Sequence, residues 1–263
     1  MNNIICDTNI WYDIANGKIK PEQIRNIRLI GTAINIIEIA SAENLTKDIY
    51  LVQKTIKALQ NFHHVIVSTN PLDHIISIFN SSFISNDDSI LNLLNEFDSF
   101  QEIDDFNDLS ADTWNKVKEK ISKIDSNEQY ITKVVNDVLD KSQEFIKRNH
   151  LKKSHMLKTF TDSWKPFFIL LISNYAKSKY NYEFIINEND IRWNRLEFFL
   201  SVWDEYFKHL DIQPGRRFHD NDWHDLFNLI YVQPEYKYWT CEKRSWAKII
   251  REHERLKSYL YNK

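Results

Sequence analysis

Glycine, proline and cysteine are scarce in this sequence, and each shortage argues against a class of function. Only three of the 263 residues are Gly and five are Pro, so the glycine-rich loops that cradle phosphates in P-loop and dinucleotide-binding proteins have no counterpart here. The two cysteines, Cys6 and Cys241, form no CxxC pair and no disulfide framework, which argues against a zinc or redox motif. We therefore expect a reducing compartment, the cytoplasm.

Long hydrophobic runs are missing as well. The longest apolar run, Phe167–Ile172, is too short to cross a bilayer, and the first residues lack the basic start and apolar stretch of a secretory signal. Nevertheless, 43% of the residues are hydrophobic and 14% are aromatic, which suffices for a substantial buried core. We expect a globular protein that does not enter the membrane.

The net charge of −3 does not indicate a nucleic-acid binder, but the charge is segregated along the chain. Residues 86–112 contain nine acidic and no basic side chains, whereas residues 242–263 contain seven basic and three acidic ones. Both stretches are typical of solvated helix faces. Alternatively, the basic end follows a phosphate backbone, and the acidic stretch faces a partner or shields a cleft.

The hydrophobic pattern predicts alternating strands and helices at both ends of the chain. The predicted elements are a strand at 3–6, an apolar segment at 29–41, a helix at 48–61, a strand at 64–68, a helix at 71–79, a helix at 222–232, a strand at 236–240 and a helix from about Ser245. Such alternation indicates a parallel sheet. Helical patterns dominate between 81 and 211, so we expect an α/β domain formed by 1–80 and 212–263 that is interrupted by an all-helical insertion at 81–211.

Five carboxylates lie at the ends of these elements or inside an apolar helix. Asp7 follows the first strand, where ligand-binding groups gather in parallel sheets, although Asp is also a favoured helix N-cap. Glu38 lies within an apolar helix, where an unpaired charge is costly. Asp222 and Asp225 are about one turn apart, and Glu242 follows the last strand. Because clustered carboxylates repel each other unless a cation compensates, and Mg²⁺ or Mn²⁺ prefers oxygen ligands, we expect a divalent metal site.

Four segments resemble, in their order, the motifs of the PIN-domain (PIN-like) nucleases. They are DTN after the first strand, the Glu of TAINIIEIA, an Asp of DWHDLFNLIYV and T-x-E in YWTCEKR. The resemblance covers about residues 1–80 and 212–255 and implies a parallel sheet with helices on both sides. It also implies a nuclease that binds Mg²⁺ or Mn²⁺ and hydrolyses RNA, less often DNA, with water activated by the metal.

Carried over residue by residue, the resemblance implies a set of ligands. Asp7 is the first acid, Glu38 the second, and either Asp225 or Asp222 the third. Glu242 is the fourth, although the family usually has Asp at this position.

Several polar and basic residues are expected to contact the ligands or the substrate. The resemblance implies that Thr8 and Asn9 orient ligands or contact phosphate, and Thr240 matches the threonine of the last motif. Two basic pairs flank the supposed cleft and would neutralise a nucleic-acid backbone. These pairs are Arg216 with Arg217, after a Pro-Gly turn, and Lys243 with Arg244, after the last strand.

These expectations describe a cytoplasmic, metal-dependent endoribonuclease. By analogy with the family, it is a toxin of a toxin–antitoxin pair or a defence nuclease, and its candidate partners are RNA, an antitoxin or other protein, and a second copy of the chain. Two alternatives remain open: a catalytically silent PIN-like scaffold that binds a protein through its helical insertion, and a structure-specific DNase. The segment HDNDWHD fits no HExxH or Cys/His pattern, so a histidine-bound metal is not expected.

Overall fold

A computed structural model describes residues 2–41, 44, 47–99, 119, 132–133, 135–137, 140, 144, 164–181, 192–212, 218 and 220–262. The predicted strand-like segment Tyr182–Ile186 lies outside these residues. So do most of the helical patterns predicted between 100 and 163.

The described strands form one four-stranded sheet in which all neighbours are parallel. The strands are β1 (Asn3–Cys6), β2 (Arg28–Thr32), β3 (Val65–Val67) and β4 (Lys237–Trp239). Their order across the sheet is β3-β2-β1-β4, with Ile5 opposite Ile30 and Cys6 opposite Trp239. The predicted α/β class with a parallel sheet is confirmed.

Helices follow the strands in the alternation that the sequence predicts. In chain order the described helices are α1 (Thr8–Ala15), α2 (Pro21–Ile24), α3 (Ala33–Ile39), α4 (Ile49–Phe62), α5 (Pro71–Phe79), α6 (Ser89–Ser99), α7 (Trp164–Tyr180), α8 (Glu197–Ile212), α9 (Asp220–Asn228), α10 (Ser245–Glu252) and α11 (Glu254–Lys257), with 3₁₀ turns at Trp193–Leu196 and Leu229–Tyr231. None of the helices in the described ranges is both long and apolar enough to span a bilayer.

Local capping explains where several helices begin. The Asp48 side chain accepts a hydrogen bond from the Leu51 amide at 2.9 Å at the start of α4. The Asn70 side chain caps α5, whose first residue is proline. The apolar segment 29–41 divides at Thr32, because the Thr32 hydroxyl accepts a hydrogen bond from the Asn35 amide and starts α3 there. The predicted segment is therefore a strand followed by a helix.

One continuous apolar core contains the strands and helices from both parts of the chain. Ile4, Ile5 and Cys6 of β1 are completely buried, as expected of a central parallel strand that is covered on both faces. Apolar residues of α6, α7 and α8 belong to the same buried cluster. The predicted division into 1–80 with 212–263 and an insertion at 81–211 stays a prediction.

Candidate active site

The strand order makes the carboxyl ends of β1 and β4 the switch point of the sheet, where a crevice is expected. From β1 the chain proceeds to β2 and β3 on one side, and it returns as β4 on the other side of β1. Ligands in open α/β sheets bind at such a switch point, outside the carboxyl ends of the strands. The first residues beyond these two strands are Asp7 and Thr240.

Asp7 is held at this point by the neighbouring strand. Its backbone N–H donates to the Trp239 oxygen at 2.9 Å, and the Thr240 hydroxyl donates to Asp7 Oδ2 at 2.6 Å. Asp7 occupies the N-cap position of α1, but its side chain makes no cap hydrogen bond. Burial raises the pKa of the carboxyl, and hydrogen bonds from Thr240, Thr8 and Asn9 oppose that rise.

Glu38 faces the same region from α3. The Thr8 hydroxyl donates a hydrogen bond to Glu38 Oε2, so the first residue of α1 binds the second predicted acid. Burial and the Glu38 charge raise the pKa of Tyr12 to about 12. Thr8 is buried, and its hydroxyl therefore orients Glu38 in this conformation.

Asp225 is the member of the α9 pair that interacts most strongly with the other acids. Burial, then the charges of Glu38 and Asp7, raise the pKa of its carboxyl to about 8. Asp222 is a weaker influence on that pKa than either of them. These charge interactions favour Asp225 over Asp222 as the third acid of the group.

The Glu242 carboxylate binds the two backbone amides that follow it in the chain. Its Oε1 accepts hydrogen bonds from the backbone amides of Lys243 and Arg244, both at 2.7 Å. These two bonds are the main reason why the pKa of Glu242 lies below its ordinary value. Its charge still contributes to the raised pKa of Asp7. In this conformation Glu242 stabilises the start of α10, as acids near a helix N-terminus do.

The electrostatic balance of the site is negative. Burial is the largest cause of the raised pKa values of Asp7 and Asp225, and the charges that add to it are those of other carboxylates. Such groups repel each other, and a hard divalent cation is the usual compensation. The carboxylate oxygens thus suit Mg²⁺ or Mn²⁺ in their chemistry. Within the described parts of the chain, however, no three His, Cys, Asp or Glu side chains form a group that could hold a metal ion.

The residues predicted to contact the substrate differ in their exposure to solvent. Lys243 and Arg244 are exposed beside the crevice, and Asn9 is exposed at the start of α1. Thr240 is buried and bonded to Asp7. Arg216 and Arg217 lie outside the described residues.

Sequence reasoning missed the polar residues that connect the acids to the sheet. Asn35 and Asn228 are buried and make hydrogen bonds to the backbone of β1. The Arg251 guanidinium donates to the Thr240 and Glu242 carbonyl oxygens at 3.3 and 2.8 Å. One signal was available in the sequence, since each asparagine stands three residues from a predicted acid, on the same helix face.

Comparison with known proteins adds no relative. No protein-family model matches the chain, and neither the curated proteins nor the solved structures give a significant match.

Proposed function

We propose that this protein is a metal-dependent nuclease with its active site at the β1–β4 crevice. The proposed ligands of Mg²⁺ or Mn²⁺ are Asp7, Glu38 and Asp225. Glu242 lies at the rim. One observation carries the proposal: three acids from separate parts of the chain influence one another's charge at the switch point of a parallel sheet, where burial and then the charges of Glu38 and Asp7 raise the pKa of Asp225 to about 8.

A bound divalent cation would supply charge neutralisation at the phosphate and activation of water. The chain's own residues have other tasks. Thr240 holds Asp7 at the end of β1, and Thr8 orients Glu38. The exposed Lys243 and Arg244 would bind the phosphate backbone of the substrate. Since Glu38 is bonded to Thr8 in this conformation, metal binding requires the acids to draw closer together.

The identity of the substrate rests on the resemblance to PIN-like nucleases. We propose an endoribonuclease that acts in the cytoplasm, as a toxin or defence enzyme with an antitoxin or other protein partner. A competition between RNA and DNA of the same sequence tests the choice of RNA over DNA.

Mn²⁺ titration by calorimetry, together with cleavage of a labelled single-stranded RNA, tests the proposal. We expect the wild type to bind Mn²⁺ and to cleave only when metal is present, with EDTA as the control. Asp7→Asn should lose metal binding and reduce cleavage by at least ~10³-fold, or about 4 kcal/mol of transition-state free energy. Its melting temperature should stay within a few degrees of the wild type, because Thr240 can still donate to the amide oxygen.

Three further variants sharpen the assignment. Asp13→Asn is the matched control on α1, since Asp13 pairs with Lys18 at 2.8 Å and not with the acid group; it should bind and cleave like the wild type. Asp225→Asn should lose metal binding, whereas Asp222→Asn should retain most of it. Cleavage by Asp7→Asn at the wild-type rate would overturn the proposal.

A second candidate function is a catalytically silent scaffold. Two observations favour it: the described residues form no metal-holding group of three, and the Glu242 carboxylate is engaged by backbone amides. Under this alternative the wild type binds no Mn²⁺ at millimolar concentration, and a protein partner is bound through the predicted helical insertion at 81–211.

A further inference from the structure

Two buried asparagines donate hydrogen bonds to one carbonyl oxygen beside the acids. Asn35 Nδ2 on α3 and Asn228 Nδ2 on α9 each lie 3.1 Å from the backbone oxygen of Cys6. Cys6 ends β1 and immediately precedes Asp7. Because a buried amide without a partner is costly, each bond ties its helix to the end of the central strand.

The Asn35 side chain is fully used. The Thr32 amide and the Trp11 indole N–H can only donate, and both point to Asn35 Oδ1, at 3.0 and 3.2 Å. The Nδ2 atom must therefore face the Cys6 oxygen and the Thr8 hydroxyl, the latter at 3.0 Å. With two bonds accepted and two donated, this amide has a single orientation.

Asn228 is connected to the same network. The Thr32 hydroxyl donates to Asn228 Oδ1 at 2.7 Å, and Asn228 Nδ2 also lies 3.3 Å from the Tyr238 hydroxyl of β4. Thr32 thus links the two asparagines. The end of α9, the start of α3 and the strands β1, β2 and β4 share one set of buried polar contacts.

On each helix, the asparagine and the acid are spaced so that fixing one side chain also places the other. Asn35 is three residues before Glu38, and Asn228 is three residues after Asp225. Side chains three apart lie on the same helix face. A bond that fixes each asparagine to Cys6 therefore fixes the height and rotation of one acid relative to Asp7.

We propose that Asn35 and Asn228 are positioning residues that fix the helices bearing Glu38 and Asp225 relative to Asp7 through the shared Cys6 carbonyl. They do so without contacting metal or substrate, and Asn35 also donates to the Thr8 hydroxyl that binds Glu38. The role of the acids as ligands rests on the proposed function, but their placement can be tested without metal or RNA.

A double-mutant cycle measures this placement. In EDTA at low ionic strength and pH 8.5, Asp225→Asn removes one of three repelling carboxylates and should raise the melting temperature. In the Asn228→Ala background this gain should fall to less than half, because the carboxylate is no longer held near the other two. If Asn228→Ala does not fold, Asn228→Ser replaces it. Asn35→Ser with Glu38→Gln forms the independent cycle on α3.

The control cycle pairs Asn228→Ala with Asp222→Asn on the same helix, and its effects should add. A second measurement is Mn²⁺ affinity, which should weaken about tenfold or more in the asparagine variants, as for other groups that orient metal ligands. If the Asn228–Asp225 and Asn35–Glu38 cycles both show coupling but the wild type binds no Mn²⁺, the positioning role is supported and the nuclease proposal fails. Additive effects in the Asn228–Asp225 and Asn35–Glu38 cycles overturn the positioning role, whatever the Mn²⁺ titration shows.

Discussion

Two groups of buried carboxylates in this protein differ in how their charge is balanced. Around Asp73 on α5, the hydroxyls of Ser85 and Tyr180 donate to Oδ2 at 2.6 and 2.7 Å, and the Lys179 ammonium lies 3.4 Å away. Lys179 also pairs with Asp87 at 2.5 Å. This cluster ties α7 to α5 with a lysine between two acids. At the sheet end, the dominant charges around Asp225 are negative.

The opposite charge balance gives opposite pKa shifts. Desolvation tends to raise the pKa of Asp87, but hydrogen bonds from Lys179 and Ser89 outweigh it and the pKa falls below its ordinary value. For Asp225, desolvation and the neighbouring carboxylates act in the same direction. The comparison shows that the hydrogen-bond donors and charges next to an acid, and not burial alone, set the direction of its pKa shift.

The largest expected effect concerns the pH dependence of stability at the sheet end. The folded-state pKa of Asp225 is about 8, against 3.8 for an unperturbed carboxyl. The folded state therefore keeps a proton that the unfolded state loses, and stability falls as the pH rises from about 4 to about 8, by on the order of 3 to 5 kcal/mol. We expect Asp225→Asn to lack this loss and to exceed the wild type in stability at pH 8.5 in EDTA. Urea unfolding between pH 4.5 and 8.5 measures the difference.

The control for this prediction is Asp222→Asn, which should follow the wild-type pH curve. Added Mn²⁺ should raise the stability of the wild type at pH 8.5, because a ligand that binds only the folded state stabilises it. Parallel pH curves for the wild type and Asp225→Asn would contradict the comparison.

A smaller effect of opposite sign is expected at the balanced cluster. Lys179→Met leaves the fully buried Asp73 and the half-buried Asp87 without their ammonium group. Breaking a buried ion pair costs about 3 to 5 kcal/mol, and since the Lys179 side chain is 26% exposed, we expect about 2 to 3 kcal/mol. Urea unfolding at pH 7 measures the loss.

Lys177→Met, at an exposed position of the same helix, is the matched control and should stay within about 0.5 kcal/mol of the wild type. The stability that Asp87 contributes should be lost as the pH falls through its lowered pKa, in contrast to the Asp225 trend. An unchanged unfolding midpoint for Lys179→Met would show that the lysine does not balance the cluster.

The smallest effect is expected at Glu242. Glu242→Gln keeps an oxygen that can accept the Lys243 and Arg244 amide bonds, so we expect a loss of only about 0.5 kcal/mol. If Glu242 only stabilises α10, the Mn²⁺ affinity of the Glu242→Gln variant, measured by calorimetry, should remain within about threefold of the wild type. A tenfold or greater loss of affinity would instead make Glu242 the fourth ligand, as the resemblance implies.

Local sequence signals predicted most of the described elements. The helix at Pro71–Phe79 has the predicted bounds, and the strand predicted at 64–68 is observed at Val65–Val67, because a proline in the first turn and a short run of β-branched residues are local signals. The boundary between strand and helix at Thr32 could not be predicted from hydrophobicity, since apolar residues continue across it. The signal was the side-chain cap, which hydrophobic periodicity does not detect.

The candidate site was predictable only in part. Asp7 follows from its place after an apolar strand, because that position is a property of the local sequence. The preference for Asp225 over Asp222 does not follow from the sequence, since both residues lie on one helix and only packing decides which of them interacts with Glu38 and Asp7. The dual role of the Cys6 carbonyl depends on residues 29 and 222 positions away.

By itself, the amino-acid sequence determined that the chain forms strands and helices in alternation, that it buries a large apolar core, and that acids stand at the element ends. These properties depend on neighbouring residues. The tertiary structure decided which strand lies beside which, and therefore that Thr240 binds Asp7, that Thr8 binds Glu38, and that Lys179 balances Asp73. Charge compensation depends on distances between remote residues, and only the folded arrangement of the chain sets those distances.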